Sequence, residues 1–277
     1  MGTYPPPFEP EILPPDVLAP PPQPPPARRV KPVWVVAPAT HVLLALNILV
    51  FVLMLLGRVN FMSPSPDDLL RWGADNAGGV LFYGEWWRIV TAMFVHVGII
   101  HLATNMWCLW NLGLLAEPLL GSWGAFAAYI LTGAAGNLLS TFVNQWMYRP
   151  PAGFVGYFGP VGAGASGAVF GLAGVLIVLL KSPLLPVPQS ELKGLRKSVM
   201  MFAGINLAIG LGTYIPASPV RIDNMAHLGG FACGLLFAVP LVPRIGAPRL
   251  QFIRRRRLAV VMVVMLLTMF GFYLAQF

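Results

Sequence analysis

The chain has 277 residues, of which 57% are hydrophobic and only 10% charged, with a mean hydropathy of +0.72. That composition excludes a soluble domain of this size and points to a polytopic membrane protein. The net charge of +8 does not indicate nucleic acid, because the basic residues cluster beside apolar runs and act there as topology signals.

Half of the 28 prolines fall within residues 1–38, including Pro20-Pro21-Pro22-Gln23-Pro24-Pro25-Pro26. This cannot be helix or central strand and is read as an extended, solvated cytoplasmic tail. A partner of SH3 or WW type is the one binder such a tail suggests. No signal peptide is expected, since the first apolar run starts near residue 40 and is long enough to stay in the bilayer.

Apolar runs near the 20 residues needed to span occupy about 40–57, 98–116, 123–144, 166–180, 199–215, 225–243 and 258–277. The fold class read from them is an all-α polytopic membrane protein with seven spans, the fourth unusually short. A core of 39–244 would be followed by a basic linker and last helix over 245–277. Thirteen of the 18 Lys and Arg residues lie on one side if the N-terminus is cytoplasmic, which places the C-terminus outside. Arg254-Arg255-Arg256-Arg257 then anchors the last span, a position also compatible with contact to anionic lipid. Cys108 and Cys233 fall mid-span and read as packing residues.

Within these greasy segments lie His96, His101, Asn105, Ser166 and His227, and polar side chains in hydrocarbon usually mark function. Residues Pro150 to Gly164 are too rich in Gly and Pro for a stable helix, so helix is predicted to start at Ser166. From Ser166 to Lys181 is about 22 Å of helix against a hydrocarbon core of about 30 Å. Ser166 should therefore sit below the outer surface, at the end of a loop that dips into the membrane. His101 lies about 24 Å before Glu117 and His227 about 25 Å before Arg244 at the helical rise, which brings all three to nearly one depth. Gly167 and Gly171 form one small-residue stripe, and Ala226, Gly230 and Gly234 another. Stripes of this spacing let helices approach closely in lipid, which would bring the flanking Ser166 and His227 together.

Gly164-Ala165-Ser166-Gly167 with Gly171, and Ala226-His227 followed by Gly230 and Gly234, resemble the nucleophile and base motifs of the rhomboid intramembrane serine proteases. His101 and Asn105 resemble that family's oxyanion pair, with the Ser166 N–H as third donor. His96 resembles a structural histidine, and Trp87-Arg88 a pair in the large first loop. Glu117 fits an acidic position after the second span. The resemblance implies a six-helix core plus one C-terminal transmembrane helix, no cofactor or metal, and transmembrane protein substrates in the lipid bilayer, with a bacterial plasma membrane as the expected setting. Some members carry a tyrosine four residues after the serine, where this chain has Phe170. No Asp or Glu lies near either motif inside the membrane, so the expected chemistry is a Ser166-His227 dyad. A catalytically inactive rhomboid-like adaptor for membrane clients is the alternative.

Overall fold

The structure is a computed structural model that describes Gly2 and residues 37–148, 153–154, 156–213 and 221–276. Nearly all of the proline-rich tail, and residues 214–220 of the loop that precedes Asp223, lie outside the described residues. Among the described residues there are ten helices, and the only β pairing is an isolated bridge between Asp75 and Gly162.

Helix α1 (Pro38–Leu56) is followed by three short helices in the first loop, α2 (Pro66–Arg71), α3 (Ala77–Leu81) and α4 (Arg88–Thr91). Then come α5 (Ile99–Leu120), α6 (Ser122–Met147), α7 (Ser166–Leu179), α8 (Gln189–Gly212), α9 (Asn224–Ala238) and α10 (Arg249–Leu274). Helices α1, α5, α6 and α10 are long and apolar enough to cross a membrane, whereas α7 and α9 are equally apolar but short. Together with α8 they account for the seven apolar runs of the sequence. The protein is an integral membrane protein.

Three boundaries differ from the sequence reading, each for a physical reason. Helix α8 starts ten residues before the expected 199, because its opening turns carry Glu191, Lys193, Arg196 and Lys197 and do not register as apolar. Helix α10 takes in the whole Arg254 to Arg257 run, which is therefore helical and not linker. Helix α5 continues through Pro118 to Leu120, so Glu117 lies inside it, fully buried, and does not mark its end.

That buried carboxylate has a task. Helix α1 begins with Pro38 and has no side-chain cap of its own, which leaves the first-turn N–H groups unsatisfied. Glu117 reaches across from α5 and accepts from the Ala39 N–H at 2.9 Å, the Thr40 N–H at 2.8 Å and the Thr40 hydroxyl at 2.7 Å. A negative charge at a helix N-terminus is favourable, and three charge-assisted hydrogen bonds offset its desolvation.

At the centre of the bundle stands α7. Every residue from Gly167 to Leu176 is buried, and the helix is enclosed by α5, α6, α8 and α9. Its sequence is apolar all round, which suits a helix without a solvent or lipid face. Its 14 residues make only about 21 Å at 1.5 Å per residue, so it cannot reach both surfaces of a bilayer about 30 Å thick. The remaining depth is taken up by the irregular segment before Ser166.

Replacing Glu117 with Ala is predicted to lower stability by about 2–4 kcal/mol, since it strands the buried donors of the α1 N-terminus. The readout is thermal unfolding of the full chain in detergent. An unfolding temperature equal to wild type would show that Glu117 does not hold the two helices together.

Candidate functional site

The first turns of three helices meet at one end of α7. His101 is the third residue of α5, Ser166 opens α7, and His227 is the fourth residue of α9. The segment entering α7 is turned by Gly164, whose φ of +130° an L-residue with a side chain rarely adopts. The same glycine leaves room for the His101 ring, whose Cε1 would lie 2.6 Å and Nε2 3.0 Å from a Cβ built there. The Gly164 N–H donates to the Ala92 carbonyl at the end of α4 at 2.9 Å.

Two histidines are fixed by backbone N–H groups, and those bonds determine where their protons lie. His96, fully buried, accepts the Ala165 N–H at Nε2 at 3.4 Å and directs Nδ1–H toward the Phe94 carbonyl at 3.3 Å. Its proton is therefore on Nδ1, and its work is to hold the residue before Ser166. His101 accepts the Val97 N–H at Nδ1 at 3.4 Å, so its proton is on Nε2, the atom beside Gly164. The two rings are 5.3 Å apart.

His227 is buried against α7, with its ring stacked on Phe170 at a centroid distance of 4.2 Å and an interplanar angle of 10°. Its Nδ1 is buried and has no hydrogen-bond partner among the described residues. Ser166 is half-buried, and no hydrogen bond joins it to His227 among the described contacts. Asn105 is buried but turns its amide back to donate to the His101 carbonyl at 2.9 Å. The structure thus gathers His96, His101, Ser166, Phe170 and His227 into one region, while the Asn105 amide is committed to its own helix.

The glycine stripes meet as the spacing suggests. A Cβ at Gly230 would collide with the Gly167 carbonyl, and one at Gly234 with the Gly171 carbonyl. Helices α7 and α9 therefore touch backbone to backbone.

Trp87 is half exposed, whereas Arg88 is buried. The Arg88 guanidinium donates to the Leu70 carbonyl at 2.7 Å, the Ala74 carbonyl at 2.9 Å, Glu85 at 2.6 Å and the Tyr157 hydroxyl at 3.3 Å. It also lies over the Trp87 ring at 4.4 Å. One side chain so ties the first loop to the segment that leads into Ser166.

Sequence reading missed the second tie between these segments. Asp75 and Gly162 exchange both backbone hydrogen bonds, at 2.7 and 2.8 Å. The Thr141 hydroxyl donates to Asp75 Oδ2 at 3.0 Å. Nearby, Asp223 caps α9 by accepting the Ala226 N–H at 2.9 Å and also accepts the Ser140 hydroxyl. An Asp223 carboxyl oxygen and the Asp75 Cβ both lie beside Gly162. An Asp at the head of an apolar helix was a legible cap signal for Asp223. Nothing local announces Asp75, whose partners are 66 and 87 positions away. Burial, opposed by the Thr141 hydrogen bond and reinforced by the charge of Asp223, pushes the Asp75 carboxyl up to about 7.

Comparison with known proteins bears directly on this arrangement. The Rhomboid domain family matches residues 83–244, more than half of the chain. The chain belongs to the rhomboid family. It is 31% identical over 234 residues to Rhomboid protease GluP of Bacillus subtilis (strain 168), covering 84% of this chain and 40% of that protein. It is 31% identical to RHOMBOID-like protein 7 of Arabidopsis thaliana, covering 68% and 55%, and 27% identical to Rhomboid protease AarA of Providencia stuartii, covering 73% and 72%. The chain thus spans about half the length of the first two. The matched region includes α5 to α9 and, with His96 just before α5, every histidine of the site.

Asp75 yields a pH prediction. A folded-state pKa near 7, above the ordinary carboxyl value of 3.8, means that the folded protein holds a proton the unfolded chain gives up. Stability is then greatest in acid and falls as pH rises through that interval. Wild type should lose unfolding temperature between about pH 4 and about pH 7, and Asp75→Asn should flatten that slope and be the more stable protein at the upper end. An unchanged slope in Asp75→Asn would assign the titration to another group.

Proposed function

We propose that this rhomboid is an intramembrane serine endopeptidase that cuts transmembrane segments of other membrane proteins near the face where α7 begins. The observation that carries the reading is the convergence of His101, Ser166 and His227 from three helices, two of which, α7 and α9, pack without intervening side chains. Ser166 is the nucleophile and His227 the general base. As the Ser166 oxygen attacks the peptide carbonyl, His227 takes its proton, then delivers it to the departing amine. Water attacks the acyl-enzyme in the second half, again with His227 as base.

The developing oxyanion is met by the Ser166 N–H at the head of α7, where the helix dipole favours negative charge. His101 is the second donor, because its Nε2 carries the proton and lies beside Gly164. Asn105 is the third, and reaches the substrate after its amide leaves the His101 carbonyl.

In a Ser-His-Asp triad a carboxylate orients the base. Here neither described hydrogen bond of the Asp223 carboxyl goes to the His227 ring, and the ring is oriented instead by the Phe170 face. The phenyl ring does this without the hydroxyl of a tyrosine. It also faces the imidazolium that forms when His227 accepts the proton, an interaction worth about 0.5–2 kcal/mol. The charge asymmetry of the sequence supports an N-terminus in the cytoplasm, and hence cleavage near the outer face.

Ser166→Ala and His227→Ala are each expected to abolish cleavage of tagged single-span proteins co-expressed with the enzyme, with the double variant no worse than either. A fluorophosphonate should label Ser166 in wild type but not in His227→Ala. Phe170→Leu should lower kcat about 2- to 30-fold, the loss of the ring-face interaction. Wild-type cutting by Ser166→Ala would remove the nucleophile. A folded wild type that neither cuts any substrate nor takes the label would instead be an inactive client-binding rhomboid.

A further inference from the structure

The end of the bundle opposite the candidate site carries a second constellation. Gly121, with φ of +71°, is at once the last cap of α5 and the first of α6, so the two helices are joined by a single residue. Two arginines far from Gly121 in the chain, Arg244 and Arg256, converge on it. Beside the point a Cβ would occupy, Arg256 Nη1 of α10 lies at 3.3 Å, and Arg244 Nη1 and Cδ lie at 3.6 Å. The Arg244 backbone is pinned there, its N–H donating to the Leu119 carbonyl at 2.7 Å. Arg256 is held by its neighbours, its guanidinium 5.0 Å over the Trp123 ring and 5.2 Å over Phe252.

Among the described residues neither cation has an anion. The two ion pairs among the described residues, Arg71 with Asp68 and Arg88 with Glu85, are both in the first loop. Among the described residues the Arg256 side chain makes one hydrogen bond, a long one of 3.5 Å to the Leu120 carbonyl, and its buried Nε has no partner. The first turn of α6 adds no acid and no side-chain cap. Packing thus holds two like charges at one spot with N–H groups turned toward the same gap, and such a fork suits the tetrahedral oxygens of a phosphate.

We infer that Arg244 and Arg256, beside Gly121, bind the phosphate of an anionic phospholipid. A lipid is favoured over free phosphate because hydrocarbon surface continues from the site along the bundle. Trp123 is 52% exposed and Phe126, one turn further along α6, 38%. Leu258, just past Arg256 on α10, is also exposed. A Trp at this level fits the membrane interface, with acyl chains lying along the apolar residues beyond it. The site differs from general attraction to a basic segment, because Arg254, Arg255 and Arg257 are exposed, whereas Arg256 is the partly buried member of the run and the one beside Gly121.

The test uses the full chain in detergent, titrated with phosphatidylglycerol or phosphatidylcholine of the same acyl composition and read by native mass spectrometry. Wild type should retain phosphatidylglycerol at least about tenfold better than phosphatidylcholine, and the preference should vanish in Arg244→Gln/Arg256→Gln. The variant Arg254→Gln/Arg255→Gln removes the same charge and should keep it. Arg244→Gln alone, which leaves Arg256 on Trp123, serves if the double variant does not fold. Equal retention of the two lipids by wild type, or equal loss in both double variants, overturns the site. So does inorganic phosphate raising the unfolding temperature of wild type but not of Arg244→Gln while phosphatidylglycerol does no better than phosphatidylcholine, because the ligand is then a free anion.

Discussion

The structure depends on one contact, the backbone-to-backbone packing of α7 on α9. Gly230 and Gly234 of one helix face the carbonyls of Gly167 and Gly171 of the other, with no space for a Cβ at either. In lipid no hydrophobic effect pulls helices together, so association rests on dispersion contact and on how near the axes can come. Gly174 adds a third point, since a Cβ there would strike the Phe231 carbonyl. The contact runs along α7 from its first turn and fixes the spacing of the two residues at its head. A methyl group at Gly230 would push α9 outward and carry His227 away from Phe170 and Ser166 together.

Around that axis the helices have separate duties. Helix α6 fills the other side of α9, where a Cβ at Gly136 would also collide with a backbone carbonyl, that of Ala226. Helix α5 delivers His101, and its far end caps α1 through Glu117. The last helix packs its C-terminal Leu274 into a cluster with Val80 and Ile89 of the first loop and Ala134 and Leu138 of α6. It thereby supports the first loop. The loop is held from within by Arg88 and by the Asp75–Gly162 bridge, so the irregular segment that precedes Ser166 is held at Tyr157, Gly162, Gly164 and Ala165 before α7 begins.

Much of this was legible in the sequence, and the reason differs from one part to the next. The seven helices were visible because spans must be apolar and about 20 residues long, a constraint that composition alone reports. The short α7 was visible because glycine and proline forbid helix before Ser166. The α7–α9 contact was visible because small residues recur every four positions on both. Hydropathy failed where a helix leaves the bilayer, as at Gln189 and Arg249, since polar residues extend a helix without lowering its helical propensity. It also misread Glu117, because a charge in an apolar run is expected at the membrane edge, and here it is buried by pairing with a helix N-terminus. The Asp75–Gly162 pairing left no trace, being made of backbone groups far apart in the chain.

What sequence spacing could not supply was the state of each ring. The residue types allowed His96 and His101 to exchange roles, because both are buried imidazoles five residues apart. Their hydrogen bonds separate them: a backbone N–H on Nε2 makes His96 an acceptor toward the α7 entrance, while a backbone N–H on Nδ1 leaves His101 with its donor facing Gly164. His227 has no such bond at Nδ1 and is oriented by a stacked ring alone. A ring held by stacking is constrained in plane but can rotate about its normal more freely than one held by a carboxylate. In the proposed dyad this freedom lets His227 turn toward Ser166 as substrate arrives. The missing Ser166–His227 hydrogen bond is in keeping with a site that closes its catalytic contact only around an unwound peptide.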